Sequence, residues 1–600
     1  MGVPWKDQAF HLGINMAGAV SAGAYTAGVL DFLIEALEQW QAQKDAFRAH
    51  LADENAPDEF EGVVPLHDVM IDGFSGASAG GMCAAIASVM LHSEFEHITD
   101  TMDGNQPKTG TSNVFYEAWV NRIDIRQLLG TNDLSPGQPL ASLLDSTIID
   151  EIAAYALVPR GQRVERPYVA KDLTLFLTTT NVRGMTYPLY SSATGTDGEY
   201  TTYYGDRVRF EVVRGGAAPA ASDAYPVPVQ DPQAKTDWEF LQAAAKATGA
   251  FPLFLAPRRL TRRVTDYETP LWYPVGAKAP VPLPPPDLPQ PKPGKPPLKT
   301  IDTFNIDGGV TDNDPCELVH DYLAARNPAF ETIDGVRSNP RLPQEANAAV
   351  LTVAPFPTRD RFDETFFDPP PMTVFGMLGK LFTVMMSQSR FLGESLSVLT
   401  DGSAFSRFVI APSDPGQRDE DALQCGTLSA FGGFMERGFR AHDFLLGRYN
   451  CQRFLDTYFR LPETNPVMAA GLAGAGKYKR AVLARAGCGA PLGTPEILDG
   501  GGKAVKWLRI LPLVGTAAPE IDQPKRMQIS RDKVGEIAGL AMARIRAIEG
   551  PLLAEVPGAA LLQPVIAAAT MLQKHKVENL LMEKLSPNVE GQRADTSEDG

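Results

Sequence analysis

The stretch GFSGASAGG, residues 73–81, follows the apolar run VMID and precedes MCAAIASVML. Within it, Gly76-Ala77-Ser78-Ala79-Gly80 is a G-x-S-x-G. That pattern fits a sharp strand-to-helix turn that lifts a serine hydroxyl clear of the backbone, with glycines where a side chain would collide. A glycine-rich turn carrying an incidental serine satisfies the same five letters. The rest of the chain has to separate the two.

The sequence AFHLGINMAGAVSAGAYTAGVLDFLIEALEQW reads as strand, glycine-rich loop, then helix, with Val29, Leu30, Leu33, Ile34 and Leu37 at helical spacing. VPLHDVMIDGFSG supplies a second strand into the serine turn, and Ala79 to Leu91 a helix of small residues able to pack close to a sheet. LTLFLTTTNV is β-branched and apolar, which predicts a buried strand over 173–182. WEFLQAAAKATGAFP is a helix ended by Gly249 and Pro252. Residues 280–297 are so rich in proline that they predict an extended insertion, neither helix nor central sheet. TFNIDGGVTDNDPCELVHDYLAA then gives strand, glycine turn and helix, and AAVLTVAPF a further strand. Strands alternating with helices imply an α/β layered fold. Beyond about residue 370 the pattern turns mainly helical, and SPNVEGQRADTSEDG reads as a disordered acidic tail.

The net charge of −17 argues against nucleic-acid binding and against simple electrostatic adhesion to anionic membranes. The N-terminus lacks the apolar core of a signal peptide, and no run of about 18 uninterrupted apolar residues suggests a span. Cys83, Cys316, Cys425, Cys451 and Cys488 have no paired spacing, so neither a disulfide framework nor a metal site is expected. The expected location is cytoplasmic, with peripheral membrane contact as a variant.

A serine hydroxyl needs a base to become a nucleophile. Ser78, Asp307 and His442 satisfy the Ser–Asp–His chain order of an α/β-hydrolase, but the serine turn comes after only one or two strands, too early for that fold. A carboxylate base is the alternative. Asp307 sits in Ile306-Asp307-Gly308-Gly309 at a strand end, where Gly308 and Gly309 let the backbone turn the carboxylate towards a neighbouring strand. Taken alone, Asp-Gly is a common turn pair.

Three elements in order carry more weight: a glycine loop after the first strand (Gly18 to Gly23), the G-x-S-x-G at Ser78, and strand-D-G-G at Asp307. Together they resemble the patatin-like phospholipase family, lipid acyl hydrolases with a Ser–Asp dyad on an α/β sheet. The small-residue helix ending in Phe251-Pro252 and the run from Asp307 to Pro315 agree with it. The resemblance implies a layered α/β/α domain with a mostly parallel sheet over residues 10–355, carrying insertions at about 103–165 and at 280–297. A mainly helical region (356–583) and the tail (584–600) would follow. It also implies acyl-ester hydrolysis by Ser78 and Asp307, no metal or organic cofactor, a lipid or phospholipid substrate, and transient membrane-surface contact. A non-catalytic lipid-binding or scaffolding protein on the same fold, and an acyltransferase, are the competing expectations.

The first loop departs from the family's G-G-G-x-[KR]-G and reads Gly18-Ala19-Val20-Ser21-Ala22-Gly23. The oxyanion hole is assigned to Gly18, Ala19 and Val20. Valine resists positive φ, so Gly18 and Gly23 are expected to take any unusual dihedrals and Ala19 and Val20 to stay at negative φ. Arg258, Arg259, Arg262 and Arg263 are expected to be a solvated basic turn, with lipid-phosphate attraction as the functional alternative. Arg437, Arg440, His442, Asp443 and Arg448 are expected to be an internal ion-pair network, and Met372 to Leu392 a core-packing helix or a membrane-contacting lid.

Overall fold

The computed structural model describes all residues except 1–4, 105, 190–198, 215–216, 269–270, 273–280, 283, 289–295, 334–335, 357–388, 390–403, 418–420, 429, 495, 499–501, 556–573, 587 and 591–600. Its centre is a nine-stranded sheet. In chain order the strands are β1 (Ala9–Met16), β2 (Asp68–Gly76), β3 (Val169–Leu189), β4 (Glu199–Val212), β5 (Ala224–Val227), β6 (Arg258–Arg263), β7 (Thr300–Asp307), β8 (Ala348–Val353) and β9 (Arg407–Ile410). β9, β8, β1, β2 and β3 run parallel in that spatial order. β1 and β8 are buried along their whole length, as strands covered on both faces must be.

The register around β3 decides where the chemistry sits. β4 occupies one edge of β3 from Thr174 to Thr180, so the partners of the other edge must share it. β2 takes residues up to Leu177, opposite Gly76, and antiparallel β7 takes Thr179 to Asn181, with Asp307 opposite Thr179. The C-terminal ends of β2 and β7 therefore meet head-on, two β3 residues or about 7 Å apart. Residues distant in sequence are thus brought together at the sheet's carboxyl edge.

Five helices matter for the site: α1 (Gly23–Ala52), α2 (Ser78–Met90), α3 (Thr147–Ala156), α4 (Lys235–Thr248) and α5 (Cys316–Arg326). α2 and α4 pack on β3, and α5 packs on β1, β2 and β8. The first of these helices, with the turn before it (Val20–Ala52), is long and apolar enough to cross a membrane, yet 94% of its most apolar window is buried inside the protein. Its main partner is α6 (Arg437–Thr457). Their backbones touch: a Cβ on Gly28 would overlap the Phe444 carbonyl, and one on Gly447 the Tyr25 carbonyl. Only glycine permits that approach.

Arg448 of α6 reaches Asp31 and, at 2.6 Å, Glu35 of α1, while His97 lies 3.0 Å from both Asp31 and Glu38. Burial alone would depress the His97 pKa, but the two carboxylates outweigh it and lift it to about 9. The expected network is met only in part: Arg448 finds its carboxylates on α1 and His442 pairs with Asp443, whereas Arg437 bonds to Asn121, Tyr116 and the Lys108 carbonyl. Arg440, however, is satisfied by the carbonyls of Val120, Gly433 and Phe434 rather than by an ion pair.

The chain near residue 588 is ordered. Val589 is fully buried and bridges Ile529, and Asn588 accepts a hydrogen bond from Gln424 at 3.1 Å. The unstructured tail expected from 584 thus does not begin there, because Leu585 and Val589 supply apolar side chains to a core. Of Met372 to Leu392 only Ser389 is among the described residues, so the helix expected there lies outside them.

Candidate active site

Ser78 occupies the turn between β2 and α2 at φ +52°, a left-handed conformation that is costly for a non-glycine residue. Its neighbours make the turn possible. A Cβ on Gly76 would lie 2.8 Å from the Gly81 backbone, and one on Gly80 would overlap the Met16 carbonyl. Thr248, at the end of α4, accepts the Ser78 N–H at 3.0 Å and fixes the elbow from outside. Strain of this kind persists only where the surroundings over-determine it, and it is concentrated at functional sites.

The Ser78 hydroxyl donates to Asp307 Oδ2 at 2.6 Å. Asp307 Oδ1 accepts the Gly309 N–H at 2.8 Å, the Asp307 N–H is held by the Ala250 carbonyl at 2.9 Å, and its carbonyl accepts from Thr180 at 2.9 Å. Gly308 is required by space, since a Cβ there would overlap the Thr178 carbonyl. Burial pushes the Asp307 carboxyl up to about 7, against the lowering effect of its bonds from Ser78 and Gly309. A carboxylate of that basicity is matched to proton transfer near neutral pH. His442, by contrast, pairs with the adjacent Asp443 at 2.7 Å, and Asp443 accepts the N–H groups of Gln424 and Cys425. The Ser–Asp–His arrangement is not built.

The glycine loop touches Ser78, as a Cβ on Gly18 would stand 3.1 Å from Ser78 Cβ and overlap Asn313 Oδ1. Its dihedrals correct the expectation. Val20 is at φ +46°, Gly23 is at −52°, and Gly18 is not among the left-handed residues. The two glycines serve space rather than torsion: Gly18 clears Ser78 and Asn313, and Gly23 clears the indole of Trp119. The Gly18 N–H is donated to the Asn313 carbonyl at 3.1 Å and that of Ser21 to Ala430 at 3.2 Å. Gly18 is therefore corrected from a donor to a spacer, its N–H being taken by Asn313.

An apolar slot opens at Ser78, lined by Val20, Met82, Trp119, Ile123, Phe251 and Phe431 among others. Met82, Trp119, Ile123 and Ile149 also line a second compartment bounded by Ile86, Ile152, Ala153 and Ala156. Each holds about 50 Å³. Trp119 lies on a π-helical turn, Glu117–Arg122, a feature enriched at functional sites. The insertion after residue 103 thus builds the slot's wall, a role that its sequence does not signal.

The four arginines near Phe251 are all paired: Arg258 with Asp150, Arg259 with Asp302, Arg262 with Asp206 and Asp266, and Arg263 with Asp266. They form strand β6 against β7, not a basic turn, with carboxylates supplied by α3 (Asp150), β4 (Asp206), β7 (Asp302) and the turn after β6 (Asp266). That removes them as a lipid-phosphate patch. Among the described residues, Glu317, His320 and Asp321 bring three metal-ligand atoms within 4.8 Å of one another. Arg407 donates to Glu317 at 3.0 Å and His320 lies 3.1 Å from Asp321, so the group is an ion-pair cluster.

A serine on a strained elbow thus lies against an aspartate at a strand end, in a mixed, mostly parallel sheet flanked by helices. The family model described as patatin-like phospholipase matches residues 15–320, and the chain belongs to that family. It is 30% identical over 580 residues to "Uncharacterized protein y4iI" of Sinorhizobium fredii, covering 90% of this chain and 75% of the relative. Its similarity to the crystal structure of VipD from Legionella pneumophila spans 97% of this chain and 91% of that one, at 12% identity and a TM-score of 0.21, too low to bear on function.

Proposed function

We propose that the protein hydrolyses acyl esters of lipids through an acyl-serine at Ser78, with Asp307 as general base. The 2.6 Å contact between the two side chains, at the mouth of an apolar slot, carries this reading. The Ser78 proton passes to Asp307 as the Oγ–carbon bond forms and the carbonyl π pair moves to oxygen. Collapse of that oxyanion expels the alcohol, which takes the proton from Asp307, and water repeats the sequence to release the acid. Ala19 and Val20 N–H groups, with the positive end of α2, stabilise the oxyanion. Ser78→Ala should lower hydrolysis of p-nitrophenyl butanoate and of phosphatidylcholine by at least about a thousandfold with the melting temperature unchanged. Retained turnover would place the nucleophile elsewhere.

The slot matches one unbranched acyl chain. Ser78, Met82 and Ile86 are spaced at i, i+4, i+8, so the chain lies along one face of α2. Eight residues of helix span about 12 Å. An extended alkyl chain, with ~1.5 Å bonds at ~111°, advances about 1.25 Å per carbon, so roughly ten carbons reach Ala153 and Ala156. Among the described residues, Lys246, 2.6 Å from Asp150, is the one charged residue in the wall of that second compartment. Ala156→Phe should lower the ratio of decanoate to butanoate ester kcat/KM at least tenfold, a ratio read within one preparation. An unchanged ratio would remove the second compartment from substrate binding. Leu253, 76% exposed, and Phe254 flank the slot residues Phe251 and Leu255, an apolar rim suited to an aggregated lipid.

A further inference from the structure

The most strained element at the site, apart from Ser78, is Val20, a β-branched residue at φ +46°. Such a torsion reverts unless something outside the loop prevents it. The hydrogen bonds next to it identify the restraint. Ser21 donates both its N–H (3.2 Å) and its hydroxyl to the Ala430 carbonyl, and its Oγ accepts the Gly433 N–H at 3.1 Å. Ser21 is fully buried, so water does not compete for these groups. The Val20 side chain packs in the same apolar cluster as Leu428, Phe431 and Phe434.

The restraining segment is itself strained. Leu428 is at φ +54° and Ala430 at +73°, which turns the Ala430 carbonyl towards Ser21. Gly433 has to be glycine, because a Cβ there would lie 2.6 Å from Ser21 Oγ and overlap Cys425 Sγ. The segment is anchored in turn: Asp443 of α6 accepts the N–H groups of Gln424 and Cys425 at 2.9 and 2.8 Å. All of these residues lie beyond residue 320, where the family match ends.

We propose that Ser21 is a positioning residue through which residues 424–428 and 430–433 hold the oxyanion loop in its working conformation, replacing rigidity lost with the loop's missing glycines and basic residue. This rests on the acyl-serine reading above. Ser21 itself touches no reacting atom. It fixes Val20 so that the Ala19 and Val20 N–H groups stay in place when negative charge develops, while the deeper acyl-chain compartment of Ile86, Ile152, Ala153 and Ala156 includes neither it nor Val20.

The test compares wild type, Ser21→Ala and Gly433→Ala, with Ser78→Ala as reference. Three quantities are read: kcat and KM for p-nitrophenyl butanoate, inhibition by an alkyl trifluoromethyl ketone, and decanoic acid affinity. The ketone adds Ser78 Oγ to its carbonyl carbon, places the π pair on oxygen as an oxyanion, and passes the serine proton to Asp307. Both variants should lower kcat at least tenfold and weaken the ketone in parallel, leaving KM and decanoic acid affinity within twofold. Decanoic acid affinity also reports that each variant is folded at the slot. Unchanged kcat and ketone inhibition in Ser21→Ala would overturn the proposal, as would a loss of decanoic acid affinity as large as the loss of kcat. Full activity in Ser78→Ala would instead overturn the acyl-serine reading on which it rests.

Discussion

Asp307→Asn should lower ester hydrolysis by about three powers of ten or more while raising stability above neutral pH. The first effect follows from removing the base 2.6 Å from Ser78, a contribution worth about 10²–10⁴ in general-base catalysis. The second follows from linkage. With its folded pKa lifted to about 7 from 3.8, Asp307 favours the folded state fully below about pH 4. That contribution is lost as pH rises through 7, since the fold must then hold a buried carboxylate. Asparagine carries no charge to desolvate, and its carbonyl can still accept the Gly309 N–H. The stability of the variant relative to wild type, from urea unfolding at pH 5 and pH 8.5, should rise by about 2–4 kcal/mol between the two. The same carboxyl sets the wild-type pH–rate profile: kcat/KM should fall about tenfold per unit below 7. Asp312, also pushed to about 7 by burial and then by Asp314, is the neighbour that could mimic this limb. Asp312→Asn should leave the limb in place, and a limb that moves with Asp312 would assign it to the wrong carboxyl.

Gly28→Val should be the most damaging substitution away from the site. The Cβ would occupy the Phe444 carbonyl oxygen, a backbone atom of a buried helix that no rotamer change can move. α1 and α6 would have to separate, straining the Arg448 contacts to Asp31 and Glu35 and the Asn450 bond to Tyr25. Overpacking of this kind costs about 3 kcal/mol or more. Urea denaturation should show that loss, or the protein should accumulate in inclusion bodies. A stability within 1 kcal/mol of wild type would mean that the two helices are not in backbone contact.

Much of the site could be read from the sequence because its turns need glycine for local steric reasons. Gly76, Gly80 and Gly308 each sit where a Cβ would overlap backbone, so the serine elbow and the D-G-G turn leave a short, fixed signature. Strands β1, β2, β3, β7 and β8 and helices α1, α2, α4 and α5 were equally legible, whereas β4, β5, β6 and α3 were not. What could not be read depends on partners far along the chain. Nothing local says that β7 shares an edge of β3 with β2, which is what brings Asp307 to Ser78. Nor does Val20 announce a left-handed torsion, since its propensity points the other way and Ala430 overrides it through Ser21. Arg258 to Arg263 read as a basic turn because three of their carboxylate partners, Asp150, Asp206 and Asp302, lie 43 to 108 residues away, and only Asp266 is local. The far wall of the slot, from Trp119 to Ala156, has the composition of an ordinary helical core.

The central claim is that Ser78 is the nucleophile of an acyl-enzyme, and covalent trapping measures it directly. The wild-type protein is incubated with an alkyl fluorophosphonate, and intact-mass and peptide mass spectrometry then locate the adduct. One adduct per chain is expected, on Ser78, formed more slowly below pH 7 and absent from Ser78→Ala. No adduct on Ser78 in a protein that still hydrolyses decanoate esters, or an equal adduct in Ser78→Ala, would contradict it.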